Sequence, residues 1–410
     1  MPDPGFGVTP RDRYLGGATW ESFMVAGKPQ HAWAAIAAVT VLNLPLGSIY
    51  AFSVFLKPIE AELGIHRSEM SLVFGLASVG FTVGMLLAPT LFGRIPIGRL
   101  IAVCGAAAVV GIGLSALANG LLGLLLGYSV LFGLGGGAAY IVAQQSVNML
   151  VTRNKGLVNG YIVGLYPAGA MISAPLFGWA NAAFGYRTTL TALSGVLLVS
   201  TVAAIGLLTH AGAALPPPGT VSASAKGRTA IFIRMWTVFF VAAAAGLTVL
   251  SQAAGIIAAY GGNTALALAA TTGITGAIAV ARLSGGWLTD RFPVPYVAAF
   301  AQSFALVGAV ALTLFPSPMV AALALGMVGM GYGFISGATA GGIAAYWPPE
   351  IYGRIASRLY IAWCLAAVTL PILAGHLYDL TQGYGTTVII AGCGNLIGVV
   401  VALGLPRSRA

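Results

Sequence analysis

The sequence predicts an all-α membrane protein in which twelve transmembrane helices form two bundles of six. Of its 410 residues, 58% are hydrophobic and only 7% are charged, and the mean hydropathy is +0.93. Apolar runs recur along nearly the whole chain, and each is long enough to cross a hydrocarbon core of about 30 Å as an α-helix. Soluble domains carry about 25% charged residues, so this composition excludes a soluble globular protein.

The boundaries of the spans follow from the apolar runs. The predicted spans cover residues 32–56, 69–92, 99–118, 121–150, 156–182, 187–209, 231–260, 264–288, 294–315, 318–346, 353–379 and 385–406. Residues 1–30 contain several charges and no short apolar core before a cleavage site, so we expect a retained N-terminal tail and no signal peptide. Residues 407–410 form the predicted C-terminal tail.

The distribution of charge predicts the orientation of the chain. With both termini in the cytoplasm, fifteen of the nineteen Lys and Arg residues fall in cytoplasmic segments. The outer loops hold only Lys57, Arg67 and Arg187, as the positive-inside rule requires. We therefore expect a multi-pass protein of the cell (inner) membrane whose partner is the lipid bilayer. The net charge of +10 comes mostly from cytoplasmic segments, and we expect no nucleic acid as partner.

A polar segment divides the chain into two similar halves. The stretch "HAGAALPPPGTVSASAKGR" (210–228) is the only long polar interruption, so 31–209 and 231–406 are the predicted bundles and 210–230 the cytoplasmic linker. Arg94 and Arg291 are 197 positions apart, and so are Gly156 and Gly353. Equal offsets indicate a repeat, and two six-helix repeats around a central cavity are typical of secondary transporters.

Arg282 is the one cation outside the loops and tails. It lies eight residues before Asp290, which is roughly 12 Å deeper in the eighth span. A charge near the centre of the membrane costs about 3 kcal/mol or more and normally faces a cavity or a partner. The nine acids all lie in tails, loops or span ends, so we expect an anionic substrate to be the partner, because a guanidinium binds a carboxylate with two hydrogen bonds.

A purely structural role for Arg282, in which it binds helix carbonyls or hydroxyls, stays open at this stage. The small residues three and four positions away, Ala279, Gly285 and Gly286, are expected to leave room for a ligand on the same helical face.

Several motifs resemble the major facilitator superfamily. "GGWLTDRF" (285–292) is similar to its loop signature, and the first-half counterpart "LFGRIPIGR" (91–99) lacks the acid. More narrowly, "GSIYAFSVFLKPIEAELGIHRSEMSL" (47–72) and "KGLVNGYIVGLYPAGA" (155–170) resemble the oxalate/formate antiporter-like group, a relative of the monocarboxylate transporters.

The resemblance implies the major facilitator fold and a role for particular residues. Arg282 sits where this group carries a carboxylate-binding arginine, and Tyr50, Tyr140 and Tyr166 sit where it lines its pocket with aromatic side chains. The loop signature implies a gating role for Gly286, Asp290 and Arg291.

Two departures from the group bear on the substrate and on coupling. Trp363 occupies the place of a lysine in the oxalate exchanger, although an alignment error of one residue would move this to Ala362 or Cys364. Without a second cation, a monocarboxylate is favoured over a dianion. Ile278 stands where proton-coupled relatives often have an aspartate, so the substrate's own carboxyl group and His376 are the remaining candidates for proton coupling.

These observations predict a secondary transporter that moves a small organic monocarboxylate by alternating access, with H⁺ coupling or anion exchange both open. A dicarboxylate exchanger and an efflux carrier for apolar compounds are the alternatives. No enzymatic cluster, metal-ligand spacing or phosphate loop is evident, and Cys104, Cys364 and Cys393 lie in apolar spans, so we expect no cofactor, no metal and no enzyme activity. We expect the chain to function as a monomer.

Overall fold

The structure, a computed structural model, describes residues 29–217 and 228–407. Within them, twelve helices are long and apolar enough to cross a membrane. In chain order they are α1 (His31–Leu63), α2 (Arg67–Thr90), α3 (Ile97–Ala116), α4 (Leu121–Leu150), α5 (Lys155–Phe184), α6 (Tyr186–His210), α7 (Thr229–Ala259), α8 (Thr264–Arg291), α9 (Val294–Leu314), α10 (Pro318–Tyr346), α11 (Pro349–Thr381) and α12 (Gly385–Leu403). The twelve predicted spans are therefore confirmed. Most of the two predicted tails and the centre of the predicted linker, 218–227, lie outside the described residues.

Helix α1 differs most from its predicted bounds. The apolar run ends near residue 56, but the helix continues through charged turns to Leu63 and ends at Gly64, which has a φ of 65°. The backbone of Gly47–Phe55 is a 3₁₀ helix, which begins two residues after Pro45. Proline has no amide hydrogen to donate, so the regular α-helical ladder is interrupted here.

The helices form two bundles with the same internal packing. In the first bundle the contacting pairs include α1 with α5, α2 with α4 and α3 with α6; in the second they include α7 with α11, α8 with α10 and α9 with α12. Adding six to each helix number converts the first set into the second. The repeat predicted from the 197-residue offsets is thus present in the helix packing.

The contacts between the bundles follow the same symmetry. Helix α5 packs on α8 and α10, and α11 packs on α2 and α4. Glycine allows the closest of these approaches: Gly156, Gly160 and Gly164 recur every fourth residue along α5, and a Cβ added at Gly156 would lie 2.3 Å from the carbonyl oxygen of Gly286 on α8. Small residues in this pattern let the backbones of membrane helices approach each other directly.

The two faces of the molecule differ in charge. We call the face that carries the α2–α3, α4–α5, α8–α9 and α10–α11 loops the basic face, because Arg94, Arg153 and Arg291 lie on or beside these loops. On the opposite face, the cations Arg67 and Arg187 are both paired with carboxylates of α1.

Candidate functional site

A small cavity lies between the two bundles, at the depth of Arg282. Its volume is about 20 Å³, which is room for about one water molecule. Six helices supply its lining, α1, α2, α4, α5, α8 and α11. The lining residues are Tyr50, Phe81, Tyr140, Val163, Tyr166, Arg282, Tyr360 and Trp363. The structure therefore brings together all five residues that the sequence predicts as substrate-binding.

Arg282 lies nine residues before the end of α8 at Arg291, about 13 Å deep by helical rise, and only 4% of its surface is exposed. Its Nη1 donates to the backbone oxygen of Val163 on α5 (3.1 Å), and its Nη2 donates to the hydroxyl of Tyr332 on α10 (3.0 Å). The guanidinium also lies 5.2 Å from the centre of the Tyr332 ring, within the range of a cation–π interaction.

The charge of Arg282 is not matched by a carboxylate. Both ion pairs in the described part of the chain, Arg67–Glu60 and Arg187–Glu62, involve helix ends near the opposite face. The Nε–H of Arg282 is buried and has no hydrogen-bond partner. Since a guanidinium has five N–H donors, the two observed bonds anchor the side chain and leave donors available for a ligand.

The tyrosines surround Arg282 with ring edges and hydroxyls. Tyr166 is 4% exposed, its hydroxyl has no partner, and its ring meets that of Tyr140 nearly perpendicularly at 5.2 Å. The hydroxyls of Tyr140 and Tyr360 lie 3.0 Å apart and so connect α4 of the first bundle with α11 of the second. The half-buried Tyr50 lines the same cavity as Arg282, and its ring centre lies 6.3 Å from that of Tyr166.

Trp363 forms the remaining wall. Its ring contacts those of Tyr50 (6.3 Å), Phe81 (6.2 Å) and Tyr360 (6.4 Å). The neighbouring Ala362 and Cys364 do not line the cavity; the thiol of Cys364 instead lies 3.8 Å from the backbone oxygen of Ser78. Of these three neighbouring residues, Trp363 is therefore the one that lines the cavity.

The loop-signature residues lie at the contact between the bundles. The carboxylate of Asp290 accepts hydrogen bonds from the backbone N–H groups of Gly156 (2.8 Å) and Leu157 (2.7 Å) at the start of α5. A carboxylate is favourable there, because the N-terminus of a helix carries partial positive charge. Arg291 stacks on the ring of Trp287 at 3.8 Å.

At two of the small neighbours of Arg282, Gly285 and Gly286, the room is taken by neighbouring helices and not by a ligand. A Cβ added at Gly286 would lie 2.2 Å from the oxygen of Gly156 on α5, and one added at Gly285 would lie 2.2 Å from the oxygen of Phe334 on α10. The space beside each glycine is occupied by the backbone of a neighbouring helix. The absence of a side chain therefore allows close helix packing and does not enlarge the cavity.

His376 is separate from the site. It is exposed and lies thirteen residues beyond Trp363 on α11, about 20 Å towards the opposite face. It does not line the cavity. Ile278, one turn before Arg282, is buried and packs beside Gly329 of α10.

Hydrogen bonds between the bundles close the cavity towards the basic face. Gln144 donates to the hydroxyl of Tyr352 (3.1 Å), and Gln145 bonds the backbone of α11 at Gly353 and Pro349. Within residues 29–217 and 228–407, the hydrogen bonds that join the bundles lie at the level of the cavity or on its basic side. By helical rise, Tyr50 and Trp363 are the lining residues farthest from the basic face, and their rings lie 6.3 Å apart.

Sequence reasoning missed four residues of the site: Phe81, Val163, Tyr332 and Tyr360. Tyr360 had a usable signal, because it precedes Trp363 by three positions and so lies on the same face of α11. Tyr332 lies between two glycines in "GMGYGF" (329–334), so its aromatic side chain stands between two residues that have no side chain.

Comparison with known proteins places this geometry in a family. The family profile described as Major Facilitator Superfamily matches residues 37–341. The chain is 28% identical to the uncharacterized MFS-type transporter YhjX of Escherichia coli (strain K12), in an alignment spanning 34% of this chain and 35% of that protein. It is 26% identical to monocarboxylate transporter 11 of Mus musculus, over 93% of this chain and 90% of that protein.

The fold is also that of a solved transporter. The structure of the proton:xylose symporter XylE, bound to 6-bromo-6-deoxy-D-glucose, superposes with a TM-score of 0.73 at 14% identity, covering 93% of this chain and 97% of that one.

Proposed function

The chain belongs to the Major Facilitator Superfamily, and we propose that it is a secondary transporter whose substrate is a small organic monocarboxylate bound by Arg282. The observation that carries the proposal is a pair of donors at one cavity. The Nε–H of Arg282 and the hydroxyl of Tyr166 are both buried without partners, and both side chains line the same space. A carboxylate has two oxygens and no donors, so it can accept from both.

The charge and polarity of the lining support a monoanion with a small apolar tail. Arg282 is the one charged side chain among the eight that line the cavity, and an aromatic ring stands at Trp363 where a second cation would bind a second carboxylate. The remaining walls are mostly ring faces and edges, which suit a short hydrocarbon group. The similarity to a protein named monocarboxylate transporter 11 points the same way.

The small cavity indicates that binding requires the site to expand. At about 20 Å³ it is too small for lactate or pyruvate, so we interpret this conformation as one in which the bundles have closed around the site. Entry from the opposite face then requires Tyr50 and Trp363 to separate, while the hydrogen bonds at the basic face stay in place.

We infer that transport proceeds by anion exchange. Arginine keeps its charge at physiological pH, and none of the eight described residues that line the cavity is a carboxylate or a histidine. The loaded site is therefore neutral and the empty site carries one positive charge. Since an unmatched charge at this depth costs about 3 kcal/mol or more, the bundles reorient more readily with an anion bound than without one.

Counterflow into proteoliposomes tests the function. Vesicles preloaded with unlabelled lactate, pyruvate or formate are expected to accumulate the labelled anion, with little net uptake when the lumen is empty, whether or not an inward proton gradient is applied. Arg282→Gln should abolish counterflow. Arg94→Gln, which removes an exposed cation of the basic face, should leave it within about twofold of the parent.

Each other outcome identifies a different carrier. Failure of every monocarboxylate, or full activity of Arg282→Gln, removes the proposal. Counterflow of dicarboxylates alone indicates a dianion exchanger, and transport of apolar compounds that is insensitive to Arg282→Gln indicates an efflux carrier. Net uptake that requires the proton gradient removes the exchange mechanism but keeps the substrate.

We further propose that the basic face is cytoplasmic, in accordance with the positive-inside rule. Both termini would then lie in the cytoplasm, since twelve spans return the chain to the side on which it began. The cavity is built from residues of one chain, which supports a monomer as the functional unit. A reporter fused to the C-terminus, active only in the cytoplasm, tests the orientation.

A further inference from the structure

The α2–α3 and α8–α9 loops both lie at the contact between the bundles, but the sequence around the second contains an acid, Asp290, that the first lacks. Moving back 197 positions from Asp290 leads to Gly93, just as moving back 197 positions from Gly353 leads to Gly156. By the symmetry of the fold, a residue at position 93 faces the start of α11 as Asp290 faces the start of α5. The side chain of Phe92 does lie against Gly353, 3.2 Å from the position of an added Cβ.

The structure explains why no carboxylate is present at position 93. Gly93 has a φ of +72°, and a Cβ added there would lie 2.5 Å from the Cα of Pro217 and 2.7 Å from its Cβ. Pro217 belongs to the beginning of the polar segment that joins the bundles. The linker therefore occupies the space that an acidic side chain at position 93 would need.

Gln145 of α4 makes the contacts that the missing acid would make. Its Oε1 accepts from the backbone N–H of Gly353 (2.6 Å), and its Nε2 donates to the backbone oxygen of Pro349 (2.7 Å). The side chain is fully buried. It thus binds one donor and one acceptor at the start of α11, where the first N–H groups of a helix have no partner within the helix; the oxygen of Pro349 also accepts from the N–H of Tyr352.

We propose that Gln145 is a gate residue: its neutral amide holds the start of α11 against the first bundle and closes the cavity towards the basic face. Asp290 does the same for α5 with a carboxylate. The gate therefore has one charged side chain, Asp290, and one uncharged side chain, Gln145, and the helix starts that they bind, those of α5 and α11, are related by the symmetry of the fold. Each of these two side chains binds the start of a helix in the other bundle. We therefore expect removal of either side chain to favour separation of the bundles at the basic face.

The rate at which a buried cysteine near the basic face reacts measures this closure. Thr289 is 5% exposed, and its hydroxyl lies 2.4 Å from an added Cβ at Gly156 and 2.1 Å from one at Gly341. Thr289→Cys, with the three native cysteines replaced by alanine, gives a thiol that a membrane-impermeant maleimide reaches only when the basic face opens. Labelling is measured on purified protein in nanodiscs without substrate, so the result does not depend on which solute is carried.

Gln145→Met keeps the volume and removes both hydrogen bonds. We expect the thiol introduced by Thr289→Cys to react about tenfold faster, which corresponds to a shift of about 1.4 kcal/mol towards the open gate. Gln145→Glu keeps the acceptor for Gly353 at a helix start that favours negative charge but loses the donor to the oxygen of Pro349, so it should label faster than the parent and more slowly than Gln145→Met. The matched control is Gln302→Met: Gln302 is equally buried but bonds Val238 within the second bundle, so labelling should not change.

The proposal is overturned if Gln145→Met labels within twofold of the parent, if Gln302→Met accelerates labelling as much, or if Gln145→Glu labels as fast as Gln145→Met. Should Gln145→Met not fold, Gln145→Asn replaces it. Its amide is one methylene too short to reach α11, so faster labelling is again expected and a parental rate overturns the proposal.

Discussion

Alanine substitutions at two adjacent glycines of α8 distinguish an effect on opening of the gate from an effect on the stability of the fold. Gly286 faces α5 in the other bundle, and Gly285 faces α10 in its own bundle. In both cases an added Cβ would lie 2.2 Å from a backbone oxygen, that of Gly156 or of Phe334. Alanine at either position therefore causes a steric conflict of the same size, but only the conflict at Gly286 can be relieved by moving the bundles apart.

The magnitude follows from the overlap. Ordinary contact of a Cβ begins at 3.4 Å, so Gly286→Ala requires α5 to withdraw by about 1.2 Å, the difference from 2.2 Å. Overpacking of this kind costs about 1–3 kcal/mol. If the cost falls on the closed basic face, the gate equilibrium shifts about 5- to 150-fold towards opening.

The assay is maleimide labelling of the thiol in the Thr289→Cys protein, together with the melting temperature. Gly286→Ala should accelerate labelling by at least fivefold with little change in melting temperature. Gly285→Ala should lower the melting temperature and leave labelling near the parental rate. Equal labelling of the two variants would show that the bundles do not separate along the α5–α8 contact, and the reasoning would fail.

Three further predictions concern the site. Tyr166→Phe should raise KM about tenfold or more, because it removes a hydrogen bond to a charged group. The melting temperature should not fall, because the hydroxyl has no hydrogen-bond partner in this structure. An unchanged KM in counterflow would contradict the role of Tyr166 in binding. Trp363→Lys should introduce counterflow of dicarboxylates and slow that of monocarboxylates, and unchanged selectivity would show that residue 363 does not set the charge of the substrate. His376→Gln should leave the pH profile of transport between about pH 5 and 8 unchanged; a lost or shifted profile would restore His376 as a proton carrier.

The fold could be predicted from the sequence because each transmembrane span carries its own evidence. Length and hydropathy identify a helix without reference to any other part of the chain. The single buried cation was equally visible, since Arg282 differs in kind from everything around it. The tyrosines and Trp363 came from resemblance, and they do line the cavity with Arg282.

The sequence could not predict which side of each helix faces the cavity, a neighbouring helix or lipid. In soluble helices a polar stripe marks the outer face, but a helix that is apolar all round gives no such sign. The glycines beside Arg282 therefore suggested space for a ligand, whereas Gly285 and Gly286 are filled by the backbones of α10 and α5. The hydrogen bond between Gln145 and Gly353 joins residues 208 positions apart, and no local sequence pattern predicts it.

The two readings of Arg282, structural and ligand-binding, are parts of one arrangement. Its bond to Tyr332 lies within the second bundle, but its bond to the oxygen of Val163 reaches into the first. Any movement that separates the bundles at this level breaks the bond to Val163 and keeps the bond to Tyr332. The guanidinium then loses a partner at the moment when the site opens, and under the proposed function an incoming carboxylate replaces the carbonyl with a stronger, charged acceptor. Without the anion, closing restores only the bond to the neutral oxygen of Val163 and leaves the positive charge of Arg282 uncompensated, which is the physical basis on which we expect exchange and not net flux.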